Sequence, residues 1–213
     1  MVQLDILSDP ICPWCYIGKA GLDTALARAE GPVFAIQWHP FQLNPDMPAE
    51  GMDRQEYLEA KFGGREGVLA AYGPVAERAE EAGLPLHLDR IARTPNTLDA
   101  HRLIHWAGIE SKQTPVVDAL FAAYFVEGRD IGDREVLCDI ADGAGLDAGI
   151  VARLFETESD IADIRARDAQ AREMGVTGVP TFIVAGRHAV PGAQPPDLWD
   201  KVIAELGAAE AAE

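Results

Sequence analysis

Val2, Leu4 and Ile6 alternate with Gln3 and Asp5, a two-residue period that predicts a short strand ending at Ser8-Asp9-Pro10. From Pro13 the period lengthens. Trp14, Ile17, Leu22, Ala25, Leu26 and Ala29 recur at mostly three- and four-residue spacing, as on one face of a helix. Proline suits the first helical position because its missing N–H would be unpaired there in any case. Gly31-Pro32 closes the helix, and Val33 to His39 is β-rich and reads as a second strand that Pro40 interrupts. Strand, helix, strand is the opening of an α/β fold.

After a turn-rich loop, Asn44-Pro45-Asp46-Met47-Pro48, strand character disappears. Helices are predicted over Asp53 to Phe62, Gly67 to Ala82 (with a bend or break at Pro74), Asn96 or Thr97 to Ala107, Thr114 to Val126, Asp133 to Gly143 and Asp147 to Phe155. Each begins with a capping residue or follows a turn. A further helix is expected from Ser159-Asp160 to Met174. A strand follows at Pro180 to Val184, then a tight turn at Ala185-Gly186-Arg187 into His188-Ala189-Val190, and a closing helix over Pro196 to Leu206. The tail from Gly207 to Glu213 is expected to fray. The layout is βαβ, a helical block, then αββα. It suits a thioredoxin fold, a central mixed β-sheet with flanking helices, interrupted by an all-helical insertion. Other α/β folds share parts of the alternation. The expected division is 1–44 plus 158–213 for the thioredoxin-like part and 45–157 for the insertion.

Composition narrows the function. The formal net charge of −17 argues against nucleic acid and anionic membrane surfaces as partners, since both need a basic face. No run reaches the eighteen apolar residues of a membrane span, and the N-terminus enters a strand pattern at once without a secretory signal, so a cytoplasmic location is expected. Three cysteines are too few for a disulfide scaffold.

Two of the three form Cys12-Pro13-Trp14-Cys15 at the strand-to-helix junction. Thiol–disulfide exchange needs an accessible thiolate and a second thiol to resolve the mixed disulfide. A cysteine at a helix N-terminus meets unpaired N–H groups and the positive end of the helix dipole, which favour the thiolate. Pro13 and Trp14 place Cys12 there, as an exposed nucleophile, and Cys15 one turn inside as the partly buried resolving thiol. Zinc would need a second matching pair, and His101 and His105 are separated by Arg102 where the metalloprotease motif needs glutamate, so no metal is assigned. Trp14 is expected as an exposed apolar contact for substrate, while Trp38, Trp106, Phe121, Tyr124 and Phe125 read as core. Cys138 has apolar helical neighbours and reads as a core filler.

Four stretches, in this order, carry a resemblance. They are Ser8-Asp9-Pro10-Ile11-Cys12-Pro13-Trp14-Cys15-Tyr16-Ile17-Gly18, Pro95-Asn96-Thr97-Leu98-Asp99-Ala100-His101-Arg102, Gly178-Val179-Pro180-Thr181-Phe182 and Gly192-Ala193-Gln194. The chain resembles the DsbA-like thioredoxin superfamily. Within it, the chain is similar to the FrnE-like dithiol–disulfide oxidoreductase/isomerase group, a neighbour of 2-hydroxychromene-2-carboxylate isomerases and kappa-class glutathione transferases. The resemblance implies a protein dithiol–disulfide oxidoreductase, commonly a homodimer, with no bound cofactor and with glutathione as redox partner or co-substrate. In a thioredoxin-type fold Pro180 is expected to be cis and to face the cysteines, with Val179 offering its backbone to substrate. Pro13, Trp14, Val179, Pro180 and Thr181 are the expected substrate-binding residues, and Asn44 and Asn96 are further candidates for holding a glutathione or peptide backbone. The relatives that use glutathione as a cofactor usually carry serine in place of Cys12. A glutathione-dependent isomerase or transferase is therefore the alternative enzyme, and a chaperone-like peptide-binding module is the alternative outside catalysis.

Overall fold

The structure is a computed structural model that describes residues 1–210. Its mixed four-stranded sheet has the order β2-β1-β5-β6, formed by β1 (Val2–Ser8), β2 (Phe34–Pro40), β5 (Thr181–Val184) and β6 (His188–Pro191). β1 pairs in parallel with β2 and antiparallel with β5, and β5 and β6 form the terminal hairpin. Leu4 lies between Ile36 and Val184, and Ile6 between Trp38 and Phe182. Pro40 belongs to β2, opposite Ser8, instead of ending the strand before it. An edge strand tolerates a residue that cannot donate.

Alternation along β1 sends Leu4 and Ile6 into the main core and Leu7 to the other face, where it packs with Phe41 and with Ala171 of α8 (Ile161–Glu173). Trp199 of α9 (Pro196–Glu210) meets Phe182 edge-on at 4.8 Å and Phe34 at 6.4 Å. Helix α9 runs past Leu206 to Glu210, because the alanine-rich tail is a good helix former; residues 211–213 lie outside the described residues.

Between β2 and α8 come α2 (Arg54–Phe62), α3 (Arg65–Glu81), α4 (Leu98–Ile109), α5 (Gln113–Phe121), α6 (Arg134–Gly143) and α7 (Ala148–Phe155). Asp53, Asp133 and Asp147 cap α2, α6 and α7 by accepting backbone N–H groups from Glu56, Glu135 and Ile150. The segment also holds a two-residue antiparallel pairing of β3 (Met52–Asp53) with β4 (Arg93–Thr94), too short for alternation to register. Helix α3 runs through Pro74 without ending. An interior proline costs about 3 kcal/mol, and here Val75 and Ala79 bury against Ile17 on the far side of it. The stretch predicted as Thr114 to Val126 is α5 continued by a wider π-helical turn, Ala122–Glu127, which carries the fully buried Tyr124 and Phe125. One apolar cluster runs without a break from Leu4 and Ile6 through Cys15 and Leu22 to Trp106, Phe121 and Phe155. Sheet and helical segment thus share a core.

Candidate active site

Helix α1 (Pro13–Leu26) begins where its sequence requires, with Pro13 in the first turn and Cys12 as the N-cap residue. Cys12 N donates to Asp9 O, and Cys15 N donates to Cys12 O. The two sulfurs are placed differently. Both sulfurs belong to the core cluster, but Cys12 borders a cavity of about 300 Å³ together with Pro13, Trp14 and Val179 and Cys15 does not. Burial, followed by the neighbouring Cys12 sulfur, pushes the Cys15 thiol well above its ordinary range.

The Cys12 thiol donates to Val179 O at 3.6 Å, and the Val179–Pro180 peptide is cis. This loop closes tightly on α1. A side chain at Gly18 would meet Pro180 Cγ at 3.0 Å, and one at Gly21 would meet Gln194 O at 2.5 Å. Glycine is required at Gly21, and at Gly18 a side chain would fit only if Pro180 and Ala193 moved aside, so the Gly192-Ala193-Gln194 stretch can lie against the same helix.

Several expectations change. Cys12 is 3% exposed, not an open nucleophile, because residues of α2 and α3 close the far side of the cavity. Trp14 is half-buried, packed against the core while it borders the cavity. Thr181 sits in β5 with its hydroxyl donating to Gly178 O, and neither Thr181 nor Pro180 borders the cavity. Asn96 is occupied by Met47 O and Leu98 N, whereas Asn44 Oδ1 accepts from Tyr57 and Lys61 while its buried Nδ2 has no partner among the described residues. Tyr124 is core, as expected, yet also borders the cavity. Cys138 is half-buried, its thiol raised by burial and then by Asp139 and Glu135.

Sequence reasoning missed two groups. Arg54, Tyr57, Lys61 and Tyr72 line the cavity opposite the cysteines. Asp9 lies fully buried beneath the loop, accepting from Leu43 N at 2.7 Å and Ile11 N at 3.4 Å. Burial outweighs these bonds and lifts its carboxyl from 3.8 to about 7. His101 Nε2 lies 3.7 Å from Asp9 Oδ1, and burial lowers this imidazole from 6.5 to about 4.

The two shifts have opposite consequences for stability. A raised carboxyl favours the fold fully below about pH 4 and loses that contribution as pH rises through about 7. A lowered imidazole contributes above about pH 6.5 and loses that contribution as pH falls through about 4. Over the window between, the slopes oppose each other. Asp9→Asn removes one of them. The variant is therefore expected to gain stability relative to the parent as pH rises from 4 to 8, by at most about 4 kcal/mol. Urea midpoints at both ends of the range check this, and parallel profiles would contradict it.

Among the described residues, no group of three or more His, Cys, Asp or Glu side chains is arranged to hold a metal, and no helix is long and apolar enough to cross a membrane.

Known proteins share this fold. The model of the DSBA-like thioredoxin domain matches residues 3–204. The Bacillus subtilis (strain 168) protein YwbO is 28% identical over 206 residues, 96% of each chain. The crystal structure of a probable DsbA oxidoreductase, SCO1869 from Streptomyces coelicolor, superposes with a TM-score of 0.85 at 30% identity, covering 98% of this chain and 91% of that one. The cytosolic disulfide reductase DsbM from Pseudomonas aeruginosa, solved with GSH, has the same fold, with a TM-score of 0.67 at 20% identity over 95% and 98% of the two chains.

Proposed function

The chain belongs to the DSBA-like thioredoxin domain family, and from that premise we propose that it is a thiol–disulfide oxidoreductase working through Cys12-Pro13-Trp14-Cys15. The observation that carries this reading is the unequal placement of the two sulfurs, Cys12 on the cavity and Cys15 off it. Cys12, as thiolate, attacks a substrate disulfide. The substrate S–S bond breaks, one thiolate leaves and takes up a proton, and the other half remains bonded to Cys12 as a mixed disulfide. Cys15, once deprotonated, attacks Cys12 Sγ and releases the second half. The enzyme ends as a Cys12–Cys15 disulfide, oxidised by two electrons, and the substrate ends as two thiols. Run backwards, the same steps oxidise a substrate dithiol.

Pro13 and Trp14 form one wall beside the attacking sulfur, and Val179 forms the facing one with its backbone turned to Cys12. Pro180 and Thr181 act from behind, Thr181 by fixing the Gly178 carbonyl. We place the protein in the cytoplasm, a reducing compartment in which such a pair serves catalysis and not a structural disulfide. Glutathione is a fitting redox partner, since the similarly folded DsbM was solved with GSH.

Turnover of a small model disulfide tests the reading. Cys12→Ser is expected to lower it about a thousandfold or more, the scale seen when a catalytic nucleophile is removed. Activity that survives in Cys12→Ser and requires added glutathione would replace this reading with that of a glutathione-dependent isomerase or transferase.

A further inference from the structure

Arg54 is a buried cation without an anion. It is 7% exposed, and its guanidinium donates to Tyr124 OH at 3.0 Å and Tyr72 OH at 3.3 Å, two hydroxyls that line the Cys12 cavity. It makes no ion pair with any carboxylate among the described residues, although the chain has 35 acidic residues against 18 basic ones. Burial raises both tyrosine hydroxyls, so they stay protonated and leave the positive charge uncompensated. Their rings, 5.6 and 5.8 Å from the guanidinium carbon, supply only cation–π attraction.

Helix stability does not explain the residue either. Arg54 is the first residue of α2, where the dipole disfavours a cation. The other charged group on the cavity has the same sign: Lys61 contacts Tyr57 OH at 2.6 Å and Asn44 Oδ1 at 3.2 Å and has no carboxylate partner among the described residues. Among the described residues, no Asp or Glu borders the cavity. In a strongly acidic protein, the space in front of Cys12 is locally positive. A guanidinium has five N–H donors, and hydrogen bonds to the two tyrosines use two of them. A buried, unneutralised charge is costly unless a partner arrives.

We propose that this cavity selects low-molecular-weight disulfides and thiols that carry a carboxylate, with Arg54 receiving the carboxylate while the sulfur meets Cys12. The volume of about 300 Å³ suits a small molecule. The sulfur chemistry rests on the oxidoreductase reading, in which the incoming disulfide gains two electrons and leaves as two thiols while Cys12 and Cys15 become the disulfide.

The test mixes reduced protein with disulfides of one chain length and three charges: dianionic 3,3′-dithiodipropionate, neutral 2-hydroxyethyl disulfide and dicationic cystamine. Each rate constant is divided by that of a free thiol with the same reagent. The normalised preference for the dianion over the neutral disulfide is expected to be about tenfold or more, the scale of one charge-assisted contact, with cystamine slowest. The preference collapses in Arg54→Gln and survives in Arg54→Lys. No preference in the parent protein, or an unchanged preference in Arg54→Gln, overturns the proposal. The comparison among reagents in the parent protein stands even where a variant folds poorly. A second arm compares alkylation of Cys12 by iodoacetate and iodoacetamide, normalised in the same way, and involves no disulfide. Failure to exchange with any disulfide, beside an Arg54-dependent advantage for iodoacetate, would refute the oxidoreductase reading and leave the anion site standing. Exchange with all the disulfides alike, without a charge preference, would refute the anion site alone.

Discussion

Cys15→Ser will accumulate a covalent adduct between Cys12 and half of its disulfide substrate, and Cys12→Ser will accumulate none. In the parent protein the adduct is short-lived, because Cys15 lies one helical turn from Cys12 and attacks it within the same molecule. Holding reactants together in this way is worth orders of magnitude over a dissolved thiol, so the adduct should persist about a thousandfold longer in Cys15→Ser. The remaining thiol in Cys12→Ser sits in the core, and burial raises it well above its ordinary range, so it offers little thiolate to a substrate. Mass spectrometry without reductant, in a Cys138→Ser background to remove the half-buried third thiol, reads the result. Equal trapping by both variants would refute the separate roles of the two cysteines.

Arg102→Met is expected to cost about 3–5 kcal/mol of stability, the scale of leaving two buried carbonyls without a donor. The Arg102 side chain is fully buried. Its Nε donates to Ser159 O at 2.9 Å, Nη1 to Asp99 Oδ1 at 2.7 Å, and Nη2 to Leu154 O at 2.8 Å and Thr157 O at 2.9 Å. These carbonyls belong to the end of α7 and the link to α8, so one side chain fastens the exit of the helical segment onto α4. The guanidinium also stacks at 4.9 Å from the Trp106 ring and 5.5 Å from that of Phe155. Methionine keeps the apolar packing but leaves the Ser159 and Thr157 carbonyls without this donor, while Leu154 O still accepts from Thr157 N and Oγ1. Asp99 retains Arg134 as a partner at 2.9 Å, so the loss falls mainly on the carbonyls. In urea the midpoint should fall by about 1–3 M. A midpoint within 0.3 M or so of the parent would show that water replaces the clamp without loss.

What the sequence reveals follows from the range of each signal. The β1-α1-β2 opening is legible because its periods and its proline act within a few residues of one another, although α1 ends at Leu26 with Ala27 as its cap, short of the Gly31 expected to close it. The starts of α2, α6 and α7 are legible because Asp53, Asp133 and Asp147 cap through bonds reaching two or three residues along the chain. The cysteine pair is equally local. Burial of Cys12 is not, since the side chains that close the cavity come from residues 54 to 75. Arg54 meets Tyr72 and Tyr124 across 18 and 70 positions, and Asp9 meets His101 from a different element. No period or spacing encodes such meetings. A hint existed for Arg54, a cation at a helix start where an acid is preferred, and for Asp9, an acid inside an apolar run next to the cysteines. Chain order marked the stretch from Pro95 to Arg102 as a shared motif, yet its physical reason, the carbonyl clamp, became visible only in the folded chain.

Cys12 and Cys15 are expected to behave as one two-electron couple. The most direct test equilibrates the protein in graded mixtures of reduced and oxidised glutathione, quenches with acid and counts both thiols by mass. The two should disappear together, into a single intramolecular disulfide, with a tenfold change in the ratio for each step of about 30 mV. Cys12 ending as a stable glutathione adduct while Cys15 keeps its thiol would contradict it.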